Sequence, residues 1–261
     1  MTQFTLDVIP ASLEPLLPAD GKLEASPQGQ TSDVAFVTGA RESVVVKRCA
    51  RAIYLEWLRN EHIMLRAIAG LGLPVPAALG YAEVAGASGP VGWLVMSRRA
   101  GRSLWDLVLE TPVGGRAPLL RSLGELLRRV HGAPIPAELS RRSDWTQRML
   151  AQAQRNLAWC DGTPELLAEL RRCTPPPAAE HLIHGDLALD NVLIDGAGSL
   201  SLIDWACGDA GDPRIDVALA LQTKPETELA NAELVAFYEA YGGQQLDHGT
   251  RRWFELLYDF F

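Results

Sequence analysis

The segment 181–216 constrains the chain more than any other, because its polar residues are spaced around a short hairpin. It reads HLIHGDLALDNVLIDGAGSLSLIDWACGDAGDPRID. Two apolar runs, VLI and LSLI, flank Gly196 to Ser199, and this pattern predicts two antiparallel strands joined by a loop of four residues. With that loop, counting back from Asp195 sets Asn191 opposite Asp204.

Residues directly opposed on antiparallel strands hold their Cβ atoms about 5 Å apart. An amide oxygen of Asn191 and a carboxylate of Asp204 would then converge on one point, and Mg²⁺ prefers such hard oxygen ligands. Asp186 lies five residues before Asn191, which is the spacing at which kinases place a catalytic base and a metal ligand. Turn and capping roles are the alternative for each carboxylate taken singly.

The chain before Met96 is rich in short β-forming runs. VAFVTG and SVVVKRC bracket Gly39 and predict a hairpin, and GWLVMS predicts a further strand. Residues 52–69 carry apolar side chains at helical spacing and predict an amphipathic helix, with Glu61 inside its apolar stripe. This part is expected to be a small β-rich lobe.

The rest of the chain is mainly helical in pattern. Helices are predicted at 117–131, 145–158, 164–172, 214–222, 230–241 and 250–259. The sequence therefore predicts an α+β fold with two lobes, a β-rich N-terminal lobe over residues 1–96 and a larger, mainly helical C-terminal lobe over residues 97–261.

Lys47 ends the run VVVK and is placed to hold the α- and β-phosphates of a nucleotide. Glu61 supports this interpretation, because a carboxylate at an apolar helix position is costly unless it is paired. Lys47 is the expected pair of Glu61, and Glu56 is the alternative carboxylate on the same helix.

Three further residues are candidates for nucleotide binding. Ser32 lies in SPQGQTSDVAF, where a hydroxyl can contact phosphate, although a polar turn explains the same residues. Met96 and Arg98 follow a predicted strand, so their backbone groups are placed to read the adenine edge. A plain linker between lobes predicts the same sequence there.

Asp216 lies one turn into a predicted helix among apolar neighbours. It either braces the catalytic loop through hydrogen bonds, as a buried carboxylate must find partners, or faces solvent. His131 ends the apolar helix LGELLRRVH and is expected to cap it rather than to act in catalysis.

The formal charge of -8 argues against a nucleic-acid partner, which needs a concentrated basic surface. An acidic excess suits a cationic substrate, and it also simply keeps a protein in solution.

Four scattered cysteines without CxxC spacing predict reduced thiols. No run is apolar over the roughly 18 residues that a membrane helix needs, so a cytoplasmic protein without a membrane partner is expected. Oligomeric state has no signal in the sequence.

These motifs together resemble the aminoglycoside phosphotransferase and choline kinase superfamily, which is related to protein kinases. The resemblance rests on VVVK, LPVPAALG, WLVMSRRAGRSLWDL, LLRRVHGAPIP, HGDLALDN, LIDW and GDPRIDVAL, which occur in family order along nearly the whole chain. HGDxxxxN with IDW and GDPxxD is the specific part. Gly185 replaces the arginine of the protein-kinase HRD motif, so control by a phosphorylated activation loop is not expected.

The resemblance implies an ATP-dependent phosphotransferase with an alcohol acceptor, and some relatives use GTP. It implies that Asp186 orients or deprotonates the acceptor hydroxyl, that Asn191 and Asp204 hold Mg²⁺, and that Lys47 steadies the ATP phosphates. Catalysis would consist mainly of positioning and charge neutralisation.

The ending LLYDFF and the length are similar to those of aminoglycoside 3′-phosphotransferases. This similarity implies that Asp259 and the terminal carboxylate of Phe261 bind the ammonium groups of an aminoglycoside antibiotic, which makes antibiotic resistance the expected role. The usual long acidic insertion is not evident; Glu226 replaces it as a substrate ligand or belongs to a solvated loop. The alternatives are a kinase for choline, homoserine, a fructosamine or methylthioribose, and an inactive nucleotide-binding module.

Overall fold

The computed structural model of the chain describes residues 5, 8–26, 29, 31–139, 144–222 and 228–261. Contacts along the chain divide it into two units, Met1–Ala100 with Ser201–Cys207, and Gly101–Leu200 with Gly208–Phe261. The lobe boundaries 1–96 and 97–261 stay a prediction. The short segment 201–207 belongs to the first unit although it lies far from it in sequence.

The first unit contains a five-stranded antiparallel sheet in the order β1-β2-β3-β5-β4. Its strands are β1 (Lys22–Ala25), β2 (Asp33–Thr38), β3 (Ser43–Cys49), β4 (Ala78–Gly86) and β5 (Gly89–Ser97). The predicted hairpin around Gly39 is confirmed: Thr38 pairs with Ser43, and the Gly39 N–H donates to the Glu42 carbonyl oxygen at 2.9 Å.

Strand alternation decides which side chains of β3 enter the core. Val44 and Val46 are buried in one apolar cluster with residues of β2 and β5, so Lys47 points to the opposite face. The helix α1 (Ala52–Ala67) packs against β3 and β5, and a side chain at Gly92 would collide with Leu55 on that helix. The face that carries Lys47 is thus the face that α1 covers.

The second unit is mainly helical, as the sequence predicted. Its helices are α2 (Leu104–Glu110), α3 (Ala117–His131), α4 (Trp145–Asn156), α5 (Pro164–Arg172), α6 (Arg214–Ala220), α7 (Asn231–Tyr241) and α8 (His248–Tyr258). The sequence interpretation did not include α2, which Ser103 caps by accepting the N–H of Asp106 at 3.1 Å. No helix in the described part of the chain is both long and apolar enough to cross a membrane.

Five further strands in the described part of the chain are short, and one of them, Leu200–Leu202, ends in the first unit. They are β6 (Arg102–Ser103), β7 (His181–Ile183), β8 (Val192–Ile194), β9 (Leu200–Leu202) and β10 (Asp209–Gly211). β7 pairs with β10 and β6 pairs with β8, both antiparallel. The loop that carries HGDLALDN therefore begins at the end of one paired strand and ends at the start of another.

The turn after β8 is one residue tighter than predicted. The Asp195 N–H donates to the Ser199 carbonyl oxygen at 3.1 Å, and the Gly198 N–H donates to the Asp195 carbonyl oxygen at 3.0 Å. Gly198 has φ 82°, which is the left-handed residue of a three-residue hairpin loop. The prediction of a four-residue loop is therefore wrong. The prediction that Asn191 lies opposite Asp204 was counted from that loop, so the hairpin does not support it.

Candidate active site

A lysine and two carboxylates meet within the first unit. Lys47 Nζ lies 2.8 Å from each carboxylate oxygen of Glu61 and 3.1 Å from Asp204 Oδ1. Glu61 is 1% exposed and shares its helix face with the buried Leu58 and Leu65. The contact predicted between Lys47 and Glu61 is confirmed, because the pleat of β3 and the stripe of α1 point the two side chains at each other.

Charge and burial act in opposite directions on this cluster. Burial alone lowers the pKa of Lys47, but the negative charges of Asp204 and Glu61 outweigh it and raise that pKa above its ordinary value. Lys47 therefore remains an ammonium. Burial raises the pKa of Glu61 to about 7, and the charge and hydrogen bonds of Lys47 oppose this rise.

Backbone contacts fix Asp204 beside Lys47. The Leu202 N–H donates to the Pro74 carbonyl oxygen at 2.9 Å, and Asn60 Nδ2 donates to the Ala206 carbonyl oxygen at 2.7 Å. Asp204 has φ 63°, the one non-glycine residue with positive φ in the described part of the chain. Aspartate tolerates this left-handed conformation better than most residues, and such strain concentrates at functional positions.

In the second unit, the carboxylate of Asp186 receives a donor at each oxygen. Tyr258 Oη donates to Asp186 Oδ1 at 2.6 Å, and Asn191 Nδ2 donates to Asp186 Oδ2 at 3.1 Å. Asn191 Nδ2 also donates to the Asp186 carbonyl oxygen at 2.8 Å. Because these bonds use the amide nitrogen of Asn191, its amide oxygen is the atom suited to ligate a cation.

The loop that carries Asp186 is anchored from below by a buried aspartate. Asp216, 1% exposed on α6, accepts the N–H groups of His184 and Gly185, each at 2.8 Å. His131 Nε2 lies 2.9 Å from Asp216 Oδ2, and His131 Nδ1 lies 2.9 Å from Tyr241 Oη. Of the two roles considered for Asp216, bracing the loop is confirmed.

The same network corrects the role predicted for His131. Both of its ring nitrogens are engaged by Asp216 and Tyr241, so the ring works inside the core and not as a cap of α3. Burial by itself would raise the pKa of Asp216, but the hydrogen bond and charge of His131 and the main chain of His184 outweigh it and lower that pKa. Asp216 is thus held as a carboxylate.

The candidate nucleotide residues of the first unit lie around β2, β3 and β5. Ser32 is half-buried before β2 and is a hydrogen-bond partner of the Cys49 thiol. Met96 is 2% exposed within β5. Arg98 donates its N–H to the Ser43 carbonyl oxygen at 3.2 Å and stacks its guanidinium 4.2 Å from the centre of the Phe36 ring. Their nucleotide contacts stay a prediction.

The candidate substrate residues are at the end of α8 and in the stretch after α6. Asp259 is exposed, and its pKa is raised by partial burial and then by the charge of Asp161. Phe261 packs against the core of the second unit. Glu226 lies outside the described residues, so its role stays a prediction.

Similarity to known proteins agrees with this geometry. The model of a family described as "Phosphotransferase enzyme family" matches residues 22–255 of the chain.

The chain belongs to that phosphotransferase family.

Two curated relatives of this phosphotransferase are both named aminoglycoside 3′-phosphotransferase. The one from Streptomyces fradiae is 28% identical over 79% of this chain and 77% of its own length. The one from Streptomyces ribosidificus is 28% identical over 67% of this chain and 72% of its own length.

Solved structures show the same fold at lower identity. A thermostable mutant of aminoglycoside phosphotransferase APH(4)-Ia in its apo form is 22% identical, with a TM-score of 0.63 over 90% of this chain and 84% of that one. The streptomycin–ATP–APH(2″)-IIa ternary complex is 14% identical, with a TM-score of 0.69 over 97% of this chain and 87% of that one. The predicted kinase-like α+β fold is confirmed.

Sequence reasoning missed two features of the phosphotransferase site. Tyr258 was not singled out, because a tyrosine in an amphipathic helix has no local pattern that separates a core role from a polar contact. The left-handed backbone of Asp204 was also missed; an aspartate directly after an apolar strand was its only sequence signal. Both features depend on the packing of distant segments.

Proposed function

We propose that the chain transfers the γ-phosphoryl group of ATP to a hydroxyl of an aminoglycoside antibiotic. The observation that carries the proposal is the position of Lys47 between the buried Glu61 and the left-handed Asp204. An ammonium held in this way is suited to bind the phosphates of a nucleotide. The two Streptomyces relatives, named as aminoglycoside 3′-phosphotransferases, support the choice of acceptor.

On the nucleotide side, Lys47 binds phosphate oxygens while Glu61 fixes its direction. Asp204 and the amide oxygen of Asn191 would hold Mg²⁺, and they fit it because both supply hard oxygen atoms. Bound Mg²⁺ would neutralise charge on the phosphates. Ser32 contributes a phosphate contact, and the backbone at Met96 and Arg98 contacts the base, with GTP as a second possible nucleotide.

On the acceptor side, Asp186 orients the hydroxyl and takes its proton as the bond from the hydroxyl oxygen to the γ-phosphorus forms and the bond from the γ-phosphorus to the departing ADP oxygen breaks. The loose transition state of phosphoryl transfer requires little activation of the nucleophile, so alignment is the larger contribution. The carboxylate is already aligned by its two donors, Tyr258 and Asn191, and its loop is braced by Asp216.

Several charges support a cationic acceptor. The chain has a formal net charge of -8, and an acidic surface raises the local concentration of polycations. Asp259 is an exposed carboxylate next to Tyr258, the residue that contacts Asp186. We assign ammonium binding to Asp259, to a carboxylate at Phe261 and to Glu226, and we place the reaction in the cytoplasm.

The test is transfer of label from γ-labelled ATP to a panel of acceptors. Kanamycin, neomycin, gentamicin and streptomycin are compared with choline, homoserine, a fructosamine and methylthioribose, with and without Mg²⁺. We expect at least one aminoglycoside to be labelled. Asp186→Asn should lower that rate by about 100-fold or more, because a misaligned acceptor hydroxyl costs a factor of this size, while ATP binding is retained.

Bacteria that express the chain should also grow on plates containing the labelled aminoglycoside, and bacteria with Asp186→Asn should not. Labelling of one metabolite and of no aminoglycoside would reject the proposed acceptor class. Equal rates for the wild type and Asp186→Asn on every acceptor would reject the catalytic assignment itself.

A further inference from the structure

Tyr258 contacts the proposed catalytic carboxylate directly, although nothing in the sequence pattern marks it as part of the site. Its hydroxyl donates to Asp186 Oδ1 at 2.6 Å, and this is a charge-assisted hydrogen bond of the short, strong kind. Asn191 supplies the donor at the other oxygen. Together the two donors fix both the position and the plane of the carboxylate.

Tyr258 is held rigidly enough to set that orientation. It is the last residue of α8, whose Phe254 and Leu257 are buried in the core of the second unit. The turn beyond the helix is tied on two sides: Asn156 Nδ2 donates to the Phe260 carbonyl oxygen at 2.7 Å, and the Gly162 N–H donates to the Asp259 carbonyl oxygen at 3.1 Å. Few degrees of freedom remain for the phenol.

We propose that Tyr258 is a positioning residue for phosphoryl transfer: its hydroxyl holds the Asp186 carboxylate in the orientation that aligns the acceptor alcohol. This inference rests on the proposed function, in which Asp186 handles that alcohol. An ionised carboxylate has about four acceptor positions, so the bonds from Tyr258 and Asn191 do not by themselves saturate it. The acceptor hydroxyl can donate to the same group that Tyr258 orients.

The position of Tyr258 also connects the proposed binding of the substrate cation to the orientation of the Asp186 carboxylate. Asp259, the exposed carboxylate assigned to bind ammonium, follows Tyr258 directly in sequence. A cation that binds at Asp259 therefore acts on the same helix end that holds Asp186. The end of α8 would then serve both substrate binding and the orientation of the Asp186 carboxylate. This double role explains a tyrosine hydroxyl at position 258, which core packing alone does not require.

The test is Tyr258→Phe, which removes the hydroxyl and keeps the ring. We expect kcat to fall about 10-fold or more, because a hydrogen bond to a charged group is lost, while the KM for ATP changes less than about twofold. The matched control is Tyr238→Phe. Tyr238 lies on α7, where its hydroxyl accepts the N–H of Leu246 in the loop before α8 at 3.3 Å, and its loss should leave kcat unchanged.

A double-mutant cycle separates positioning from general structural support. In the Asp186→Asn background, Tyr258→Phe should have little further effect, because the group that it positions is gone. The cycle is run on transfer to an aminoglycoside and on basal hydrolysis of ATP without acceptor, since water must be aligned by the same carboxylate. If the protein labels no aminoglycoside but hydrolyses ATP, the proposed acceptor class is rejected. The role of Tyr258 can still be tested in that case, through the rate of ATP hydrolysis.

Three outcomes would overturn the inference. The first is an unchanged kcat in Tyr258→Phe, and the second is an equal loss with and without the Asp186 carboxylate. The third is a raised KM for the acceptor at constant kcat, which would make Tyr258 a substrate contact only. Thermal unfolding of each variant checks for misfolding, because the loss of one hydrogen bond to a charged group should lower Tm by no more than about 10 °C.

Discussion

In the first unit, Lys47 lies between two carboxylates, those of Glu61 and Asp204, that differ in burial. Glu61 is buried and would be expensive as an unpaired charge, and Lys47 neutralises it while also facing Asp204. The ammonium thus serves two carboxylates, one inside the core and one 42% exposed in its side chain. Replacing Lys47 is therefore expected to change the protonation of Glu61 as well as the proposed binding of phosphate.

Lys47→Met should make folding stability depend on pH above neutrality. The pKa of Glu61 is about 7 in the folded chain against an ordinary value of 4.5, so the folded state binds the extra proton in that window and stability falls as pH rises through it. Without Lys47 the folded pKa rises further. We expect the unfolding free energy of Lys47→Met to keep falling above pH 7, by about 1 kcal/mol per pH unit.

Urea unfolding of the variant and the wild type between pH 5 and pH 9 measures this slope. The control is Lys47→Met combined with Glu61→Gln, in which position 61 has no proton to gain or lose. If that double variant kept the slope of Lys47→Met above pH 7, Glu61 would not be its source.

At the scale of elements, the loop that carries Asp186 is held by contacts with residues of α6 and α3. Asp216 on α6 holds the backbone of His184 and Gly185, and His131 on α3 holds Asp216. Contacts with these two helices therefore fix the position of the loop. This explains how a short loop can hold Asp186 in a defined place.

Asp216→Asn should destabilise the protein and lower kcat together. An amide supplies one acceptor oxygen where the carboxylate supplies two, so its NH₂ group faces a backbone donor in a buried site. We expect a loss of about 3 kcal/mol in unfolding free energy and a decrease in kcat, measured by urea unfolding and steady-state kinetics.

The matched control is Asp195→Asn in the exposed hairpin turn, where one oxygen accepts the N–H groups of Ala197 and Ser199. An asparagine oxygen can make the same bonds, so the change should be below about 0.5 kcal/mol. Similar losses at the two positions would contradict the bracing role of Asp216.

Helices α3 and α7 meet at a glycine. A side chain at Gly124 would collide with the Phe237 carbonyl oxygen and stand 3.0 Å from the Tyr241 nitrogen. Helix propensity alone predicts that Gly124→Ala stabilises by about 1 kcal/mol. We expect the opposite sign, a loss of about 1 to 3 kcal/mol from overpacking, in thermal or urea unfolding.

Gly249→Ala in α8 is the comparison, because its new Cβ would meet no backbone atom within 4 Å outside its own helix turn and only one side-chain oxygen, Asp247 Oδ1 at 3.2 Å. This variant should be within about 0.5 kcal/mol of the wild type. A stabilised Gly124→Ala would mean that the two helices separate without cost.

For the whole molecule, nucleotide binding should appear as added stability. A ligand that binds only the folded state at 100 times its Kd stabilises it by about 2.7 kcal/mol, which for a chain of 261 residues raises Tm by roughly 5 to 10 °C. We expect ATP with Mg²⁺ to produce a larger rise than ATP with EDTA, measured by thermal shift.

Asp204→Asn tests the proposed metal role, because asparagine also tolerates a positive φ while the charge and one acceptor oxygen are lost. The variant should keep the rise that ATP alone produces and lose the part that depends on Mg²⁺, while Asp195→Asn behaves as the wild type. A Mg²⁺ effect of full size in Asp204→Asn would remove that residue from the metal site.

Much of the fold and part of the site were predictable. Helices at 117–131 and 164–172 were placed to the residue, because their apolar spacing and their proline or terminal signals are local. Lys47 and Glu61 were paired because a buried charge must be neutralised. The seven-residue helix α2 escaped prediction, whereas α6, which has the same length, was predicted because Pro213 follows Asp212 at its start.

By itself, the sequence determined the strands β2, β3, β5, β8 and β9, every α-helix except α2, and the polar residues available for chemistry, because periodicity and charge burial act over short stretches of chain. Tertiary structure alone decided that Tyr258 contacts Asp186, that Asp216 faces the loop and not solvent, and that Asp204 adopts a left-handed backbone. These features arise where segments distant in sequence pack together, and no local pattern encodes which of several compatible partners a polar side chain meets.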